Sequence, residues 1–285
     1  MTFNFSTGLV KVNSTTSFTE MERLDFKGTI SNDTVKGGTL NDVLRGGAGN
    51  DVLDGNSGDD ILYDGRGNDT LKGGDGNDTL VREDFTGTDR FDGGSGTDTL
   101  TFADGGDSSV KLDLLNNALN DGMALGLTVT SVEKVIGSDR DDEIAGANVA
   151  EQIFGGDGGD DLNGRGGDDK LFGGLGADKL TGGTGKDTFV FDDYSSAGDF
   201  VTDFKRGEDK IAIDLSEFGL ASNYKLLLVQ GADPVATTTG ATFFYETDTN
   251  RLWYDADGNG GDEEMHLVAT FDKVASISTS DFLFV

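Results

Sequence analysis

From Gly28 onward the apolar residues of this chain recur at a fixed interval of nine. Cut there, the sequence reads GTISNDTVK, GGTLNDVLR, GGAGNDVLD, GNSGDDILY, DGRGNDTLK and GGDGNDTLV, and after the inserted pair Arg82-Glu83 it continues DFTGTDRFD and GGSGTDTLT to Thr101. A second array runs from Gly137 to Val190 as GSDRDDEIA, GANVAEQIF, GGDGGDDLN, GRGGDDKLF, GGLGADKLT and GGTGKDTFV. The eighth position is apolar in all fourteen blocks. An x-apolar-x triplet after a turn predicts a short strand whose central side chain points inward. Two nine-residue blocks then form one coil of turn, strand, turn, strand, and residues 18 apart lie one above the other.

The polar columns say what the turns are for. Gly fills the first position in twelve blocks and the fourth in ten, which admits backbone conformations that a Cβ forbids. The sixth position is Asp in thirteen blocks and Glu151 in the other. Stacking therefore brings Asp51 near Asp69 and Asp60 near Asp78. Like charges about 5 Å apart repel strongly in dry surroundings, so the pattern calls for a cation between them. Carboxylates together with turn carbonyls are hard oxygen donors that suit Ca²⁺. Mg²⁺ fits less well, because it demands tight octahedral geometry and keeps its waters. Asp that merely caps turns would not need a nine-residue period.

These blocks resemble the G-G-x-G-x-D-x-U-x repeat of the RTX family of secreted calcium-binding proteins. The resemblance implies an all-β fold: two stacked parallel β-roll arrays and a C-terminal antiparallel β-rich capping and secretion module. It implies several Ca²⁺ ions held along the turn edges. The carried-over carboxylate ligands are Asp42, Asp51, Asp60, Asp69, Asp78, Asp98, Asp160, Asp169, Asp178 and Asp187. Turn carbonyls such as those of Gly46, Ala48, Gly73 and Asp75 complete the shells. Leu40, Arg140 and Val149 replace the fourth-position Gly, and Glu151 replaces Asp, which weakens the blocks beginning at Gly137 and Gly146 as sites. Four stacked turn pairs in each six-block array give roughly eight ions at most.

Outside the arrays the pattern changes. Residues 1–27 form an N-terminal cap segment, 28–101 the first roll, 102–136 a connector, 137–190 the second roll and 191–285 the C-terminal module. Both arrays are preceded by an apolar-Glu-basic-apolar run, Met21 to Leu24 and Val132 to Val135, as an internal duplication would leave. In the connector VKLDLL alternates as a strand and LNNALNDGM is expected to be a short helix. Residues 191–285 carry strand-like stretches such as KIAIDL, ATFFYETD and RLWYDADG, and resemble the module that follows the roll in secreted RTX proteases. Such a module covers the last coil of an open-ended stack. Asp255-Ala-Asp257-Gly-Asn259-Gly260 matches the opening of an EF-hand loop, but position twelve is His266 and no helices flank it, which favours a polar hairpin loop.

Composition narrows the partners. With 22 basic and 53 acidic side chains the formal charge is −31, which excludes electrostatic binding to nucleic acid or anionic membranes. High charge and 45 Gly suggest disorder, yet 35% hydrophobic residues and 19 Phe are enough to fold once the charge is neutralised. The absence of Cys excludes disulfides and thiolate metal sites. The N-terminal stretch lacks a basic region followed by an apolar one, so no cleaved signal is expected. The ending Asp281-Phe-Leu-Phe-Val285 resembles the signal that RTX proteins present to type I exporters. The expected location is therefore extracellular, reached through a type I secretion exporter.

An active site is not expected. The 27 residues ahead of the repeats are too few for an enzyme domain. A single His excludes H-E-x-x-H zinc chemistry, and no G-x-S-x-G elbow occurs. The architecture resembles that of nodulation-signalling RTX proteins of root-nodule bacteria, which implies a host partner at a root-hair surface or membrane. A cation-conducting membrane effector and a structural matrix protein are the alternative readings.

Overall fold

A computed structural model of the chain describes residues 2–5, 8–11, 16–17, 23–102, 108–192, 198–235, 239–258 and 265–285. It falls into two units, Met1–Ser138 and Asp139–Val285. Among the described residues there is no α-helix; the only helical turns are the 3₁₀ segments Asn117–Leu119 and Thr279–Asp281. The helix expected in LNNALNDGM is thus reduced to one 3₁₀ turn, none of whose residues is buried.

In the first unit two parallel sheets face each other. One is built from Asp25–Lys27, Val43–Arg45, Ile61–Tyr63, Thr79–Arg82, Thr99–Phe102 and Lys134–Ile136. The other comprises Thr16–Ser17, Thr34–Lys36, Val52–Ser57, Thr70–Asp75, Asp89–Ser95 and Leu127–Thr130. The eighth-position residues form two inward columns, Leu44, Leu62, Leu80 and Leu100 in one sheet, continued by Val135, and Val35, Leu53, Leu71 and Phe91 in the other, continued by Val129. All are buried. Each such side chain contributes about 1.5–3 kcal/mol by leaving water, so the period of nine is a repeated hydrophobic contribution. Residues 127–136, assigned from sequence to the connector, form both strands of a further coil, with Val129 opposite Phe91 and Val135 opposite Leu100.

The second unit repeats the plan. Gln152–Asp157, Lys170–Leu175, Thr188–Phe191, Lys210–Ile213 and Phe282–Phe284 pair in parallel. Facing them, Glu143–Ala145, Asp161–Asn163, Lys179–Thr181, Asp199–Val201 and His266–Phe271 do the same. The C-terminal module is therefore mixed: parallel stacking continues past Val190, and among the described residues antiparallel pairing joins Thr242–Glu246, Arg251–Asp255 and His266–Phe271, with an isolated antiparallel bridge between Thr239 and Gly258. Its rings cover the apolar end of the roll. Phe204 lies 6.1 Å from Phe189 and 5.4 Å from Phe271, and the Phe218, Phe243 and Tyr254 rings cluster beyond, with the Tyr254 hydroxyl donating to the Phe218 carbonyl at 2.8 Å.

The EF-hand-like loop is only partly covered, since residues 259–264 lie outside the described residues. At its start Asp255 is buried and its Oδ1 accepts the Asp257 and Gly258 N–H groups at 3.1 and 2.8 Å, an Asx turn that fits a hairpin loop.

Candidate metal centre

Most sixth-position carboxylates do two different things with their two oxygens. Oδ1 accepts a backbone N–H from the coil before it: Leu24 to Asp42, Asp33 to Asp51, Asp42 to Asp60, Asp51 to Asp69 and Asp60 to Asp78, at 2.6–2.8 Å. The ladder continues through Asp78 to Asp98 at 2.8 Å, and in the second unit through Asp142 to Asp160, Glu151 to Asp169, Asp160 to Asp178 and Asp169 to Asp187 at 2.7–3.1 Å. The side chain therefore ties successive coils together as well as closing its own turn.

Oδ2 is left over. In Asp51, Asp60, Asp69, Asp78, Asp98, Asp160, Asp169 and Asp178 this atom is buried and has no hydrogen-bond partner. A buried carboxylate oxygen without a partner costs about 1–3 kcal/mol or more, so eight in one chain require a common explanation. It lies in the turn. A methyl group on Gly55 would strike Asp60 Oδ2 and lie 2.6 Å from the Gly73 carbonyl oxygen, so both oxygens crowd the space that glycine leaves open. The same convergence recurs at Gly155, with Asp160 Oδ2 and the Gly173 carbonyl, and at Gly164, with Asp169 Oδ2 and the Gly182 carbonyl. First-position Gly is required because oxygen atoms occupy the place of its Cβ.

Burial, the largest influence at every one of these groups, holds the carboxyls well above the usual range. Asp51, Asp69, Asp98 and Asp187 are pushed up to about 6, Asp60 to about 7 and Asp160 to about 8. Asp78, Asp169 and Asp178 move in the same direction. Only a proton or a cation makes such a turn comfortable. Among the described residues no three acidic or His side chains converge on one point, so most donors to a cation must be carbonyls. That donor set fits Ca²⁺, which takes six to eight oxygens in a flexible shell. The position-six carboxylates would hold the ion from one side, and the turn carbonyls from the other.

The carbonyls named from sequence are placed differently from one another. Gly73 supplies the oxygen beside Asp60, and the Gly46 carbonyl projects against Gly28 one coil before. Ala48 forms a bridge with Arg66, its N–H donating to the Thr29 carbonyl at 2.7 Å. The Asp75 carbonyl accepts the Gly58 N–H at 2.9 Å, while its side chain is exposed. Asp42 Oδ2 accepts the Gly38 N–H at 2.7 Å.

Several members of the ladder escaped the sequence reading. Asp89 accepts the Asp69 N–H, Asp199 that of Asp178 and Asp209 that of Asp187, at 2.7, 3.1 and 3.0 Å. The last two lack a glycine turn, but each retains the Asp-x-apolar signature, Asp199-Phe-Val and Asp209-Lys-Ile. Beside the ladder runs a second one at the fifth position. Asn32 Oδ1 accepts the Asn50 N–H, Asn50 that of Asn68 and Asn68 that of Thr88, at 2.7–3.0 Å. The recurrent Asn in N-D was the available signal.

The family models place the chain. RTX calcium-binding nonapeptide repeats match residues 27–62, 54–84 and 86–108, and the peptidase M10 serralysin C-terminal model matches 118–284. This chain belongs to the RTX family. The serralysin-type match means that this RTX protein carries the C-terminal domain of a secretion-type architecture. Two solution structures are similar over part of it, both subunits of the Azotobacter vinelandii mannuronan C5-epimerase. The AlgE6R3 subunit is 31% identical over 52% of this chain and 80% of its own, with a TM-score of 0.35. The AlgE6R2 subunit is 28% identical over 53% of this chain and 92% of its own, with a TM-score of 0.37. No curated protein matches by sequence.

The two-oxygen division makes one substitution informative. In Asp60→Asn the side-chain oxygen still accepts the Asp42 N–H, while an NH₂ group replaces Oδ2 and faces the Gly73 carbonyl. The expected outcome is a more stable metal-free protein and a calcium midpoint raised about tenfold, equivalent to roughly 1.4 kcal/mol. Isothermal titration with CaCl₂ and urea unfolding in chelator measure the two effects; a midpoint equal to wild type would remove Asp60 from the ligand set.

Proposed function

We propose that this RTX protein is exported by a type I route, folds when it meets calcium outside the cell, and then acts at a host cell surface without catalysing a reaction. The observation that carries the reading is the column of buried, unpartnered carboxylate oxygens aimed at turn carbonyls. At cytosolic calcium these charges repel and the coils stay apart. Extracellular-type sites with affinities of about 10⁻⁴–10⁻³ M fill only outside, and ions that bind only the stacked form stabilise it by mass action. Because each coil touches its neighbours, many weak sites act together. The non-enzymatic part is supported by the use of the acidic residues: the carboxylates that could do acid–base work are held in the ladder by backbone N–H groups.

The test is a far-UV circular dichroism titration of chelator-treated protein with CaCl₂, using MgCl₂ as control. A sharp, reversible gain of β signal with calcium alone is expected. Full β structure in chelator, unchanged by calcium, would overturn the folding step. Calcium-loaded protein is expected to leave dye-filled liposomes intact, and leakage would favour the membrane-effector alternative.

A further inference from the structure

One turn of the first unit is built differently from the rest. Asp64 and Asp84 are the only residues other than Gly at the first position of a block, and the inserted Arg82-Glu83 pair lies between their blocks. These departures meet in space. The Arg82 side chain is completely buried, the largest side chain so enclosed among the described residues. Its guanidinium pairs with Asp89 Oδ2 at 3.2 Å and donates to the Leu125 carbonyl at 2.8 Å. Asp64, also fully buried, accepts the Gly65 and Glu83 N–H groups through Oδ1 at 2.7 Å each, and its Oδ2 has no hydrogen-bond partner. Asp64, Asp84 and Asp89 are the charged groups that act on Arg82.

The acceptors around this guanidinium are carboxylate oxygens and a turn carbonyl, the same types of oxygen that crowd the other turns. Here the chain itself supplies the positive charge. We infer that Arg82 stands in for a calcium ion, so that the turn between Asp64 and Asp89 is neutralised permanently and takes up no metal. An arginine is charged at any accessible pH and cannot be chelated away. This coil is therefore the part of the first unit that can pair before calcium arrives, and the ion-dependent coils assemble on it. Two guanidinium nitrogens, Nε and Nη1, are buried without hydrogen-bond partners, so the group acts here as an enclosed cation more than as a directional fork.

The inference rests on the calcium reading, and the experiment separates the two. Full-length decalcified protein is loaded with CaCl₂ and its bound ions are counted by native mass spectrometry and equilibrium dialysis. Arg82→Ala is expected to hold one ion more than wild type, because the vacated space is lined by Asp64, Asp89 and the Leu125 carbonyl. Equal counts in a wild type that does bind calcium overturn the inference and leave the calcium reading standing. A wild type that binds none overturns both. Should Arg82→Ala fail to fold, Arg82→Met combined with Asp89→Asn decides: Asn keeps an oxygen for the Asp69 N–H while the charge pair disappears. Folding of that double variant with the wild-type ion count supports the inference, and failure to fold overturns it.

Discussion

Decalcified protein gains β structure when it is acidified from about pH 8 to about pH 5, with no metal added. The direction follows from the carboxyls of the ladder. Unfolded, they titrate near 3.8; folded, burial lifts Asp51, Asp69 and Asp98 to about 6, Asp60 to about 7, and Asp160 and Asp199 to about 8. Between those limits the folded chain binds more protons than the unfolded one, so stability falls as pH rises. The contribution is complete below pH 3.8 and is lost progressively as pH climbs through 6 to 8. Protons and calcium therefore compete for the same turns, and the calcium midpoint moves to higher concentration at acid pH. Circular dichroism across that pH range on metal-stripped protein checks the claim. A chain that stays unstructured at pH 5 would contradict the buried state of these carboxyls.

Gly73→Ala loses at least one bound calcium and unfolds more readily in saturating CaCl₂. Its missing Cβ position is held by Asp78 Oδ2 and the Gly93 carbonyl, with Asp78 Cβ at 2.7 Å. The carbonyl belongs to the backbone of the next coil and cannot swing aside. Overpacking of this kind costs about 1–3 kcal/mol, and displacement of Asp78 adds the loss of a ligand. Gly231→Ala is the control, since nothing lies within 4 Å of a methyl group there. Ion counting and urea unfolding compare the two variants. If Gly73→Ala matches the control in both, the oxygen-filled turn is not what keeps glycine at this position.

What could be read from the sequence is what the period encodes. Leu44, Leu62, Leu80 and their counterparts were legible as inward columns, and the sixth-position Asp as a stacked ladder, because both recur without a gap. Where the spacing changes, legibility ends. Phe91 and Val129 pair as neighbours although 38 positions separate them in the chain, and Ile211 pairs with Phe282 across the whole C-terminal module. No local rule announces such contacts, since a coil closed by a long excursion has the same strands but no glycine turn. Asp199 and Asp209 were missed for that reason. Arg82 was visible only as an interruption, because a sequence shows an insertion without showing which charges it meets.

The carboxylate ladder also has a direction. Every N–H at the sixth position looks to the coil that follows it in the chain, from Asp42 to Asp60 through to Asp187 and Asp209. At Asp209 the series closes on itself: its own N–H reaches the Lys205 carbonyl at 2.9 Å, and its Oδ2 takes the Lys205 N–H at 2.7 Å. The fifth-position ladder runs the other way: the Asn50 N–H reaches back to Asn32, that of Asp59 to Asn41 and that of Asn68 to Asn50. Each face of a partly formed stack therefore presents both oxygens already held in place and free N–H groups, so a coil can be laid on at either end. In the first unit the stack grows outward in both directions from the Arg82 turn.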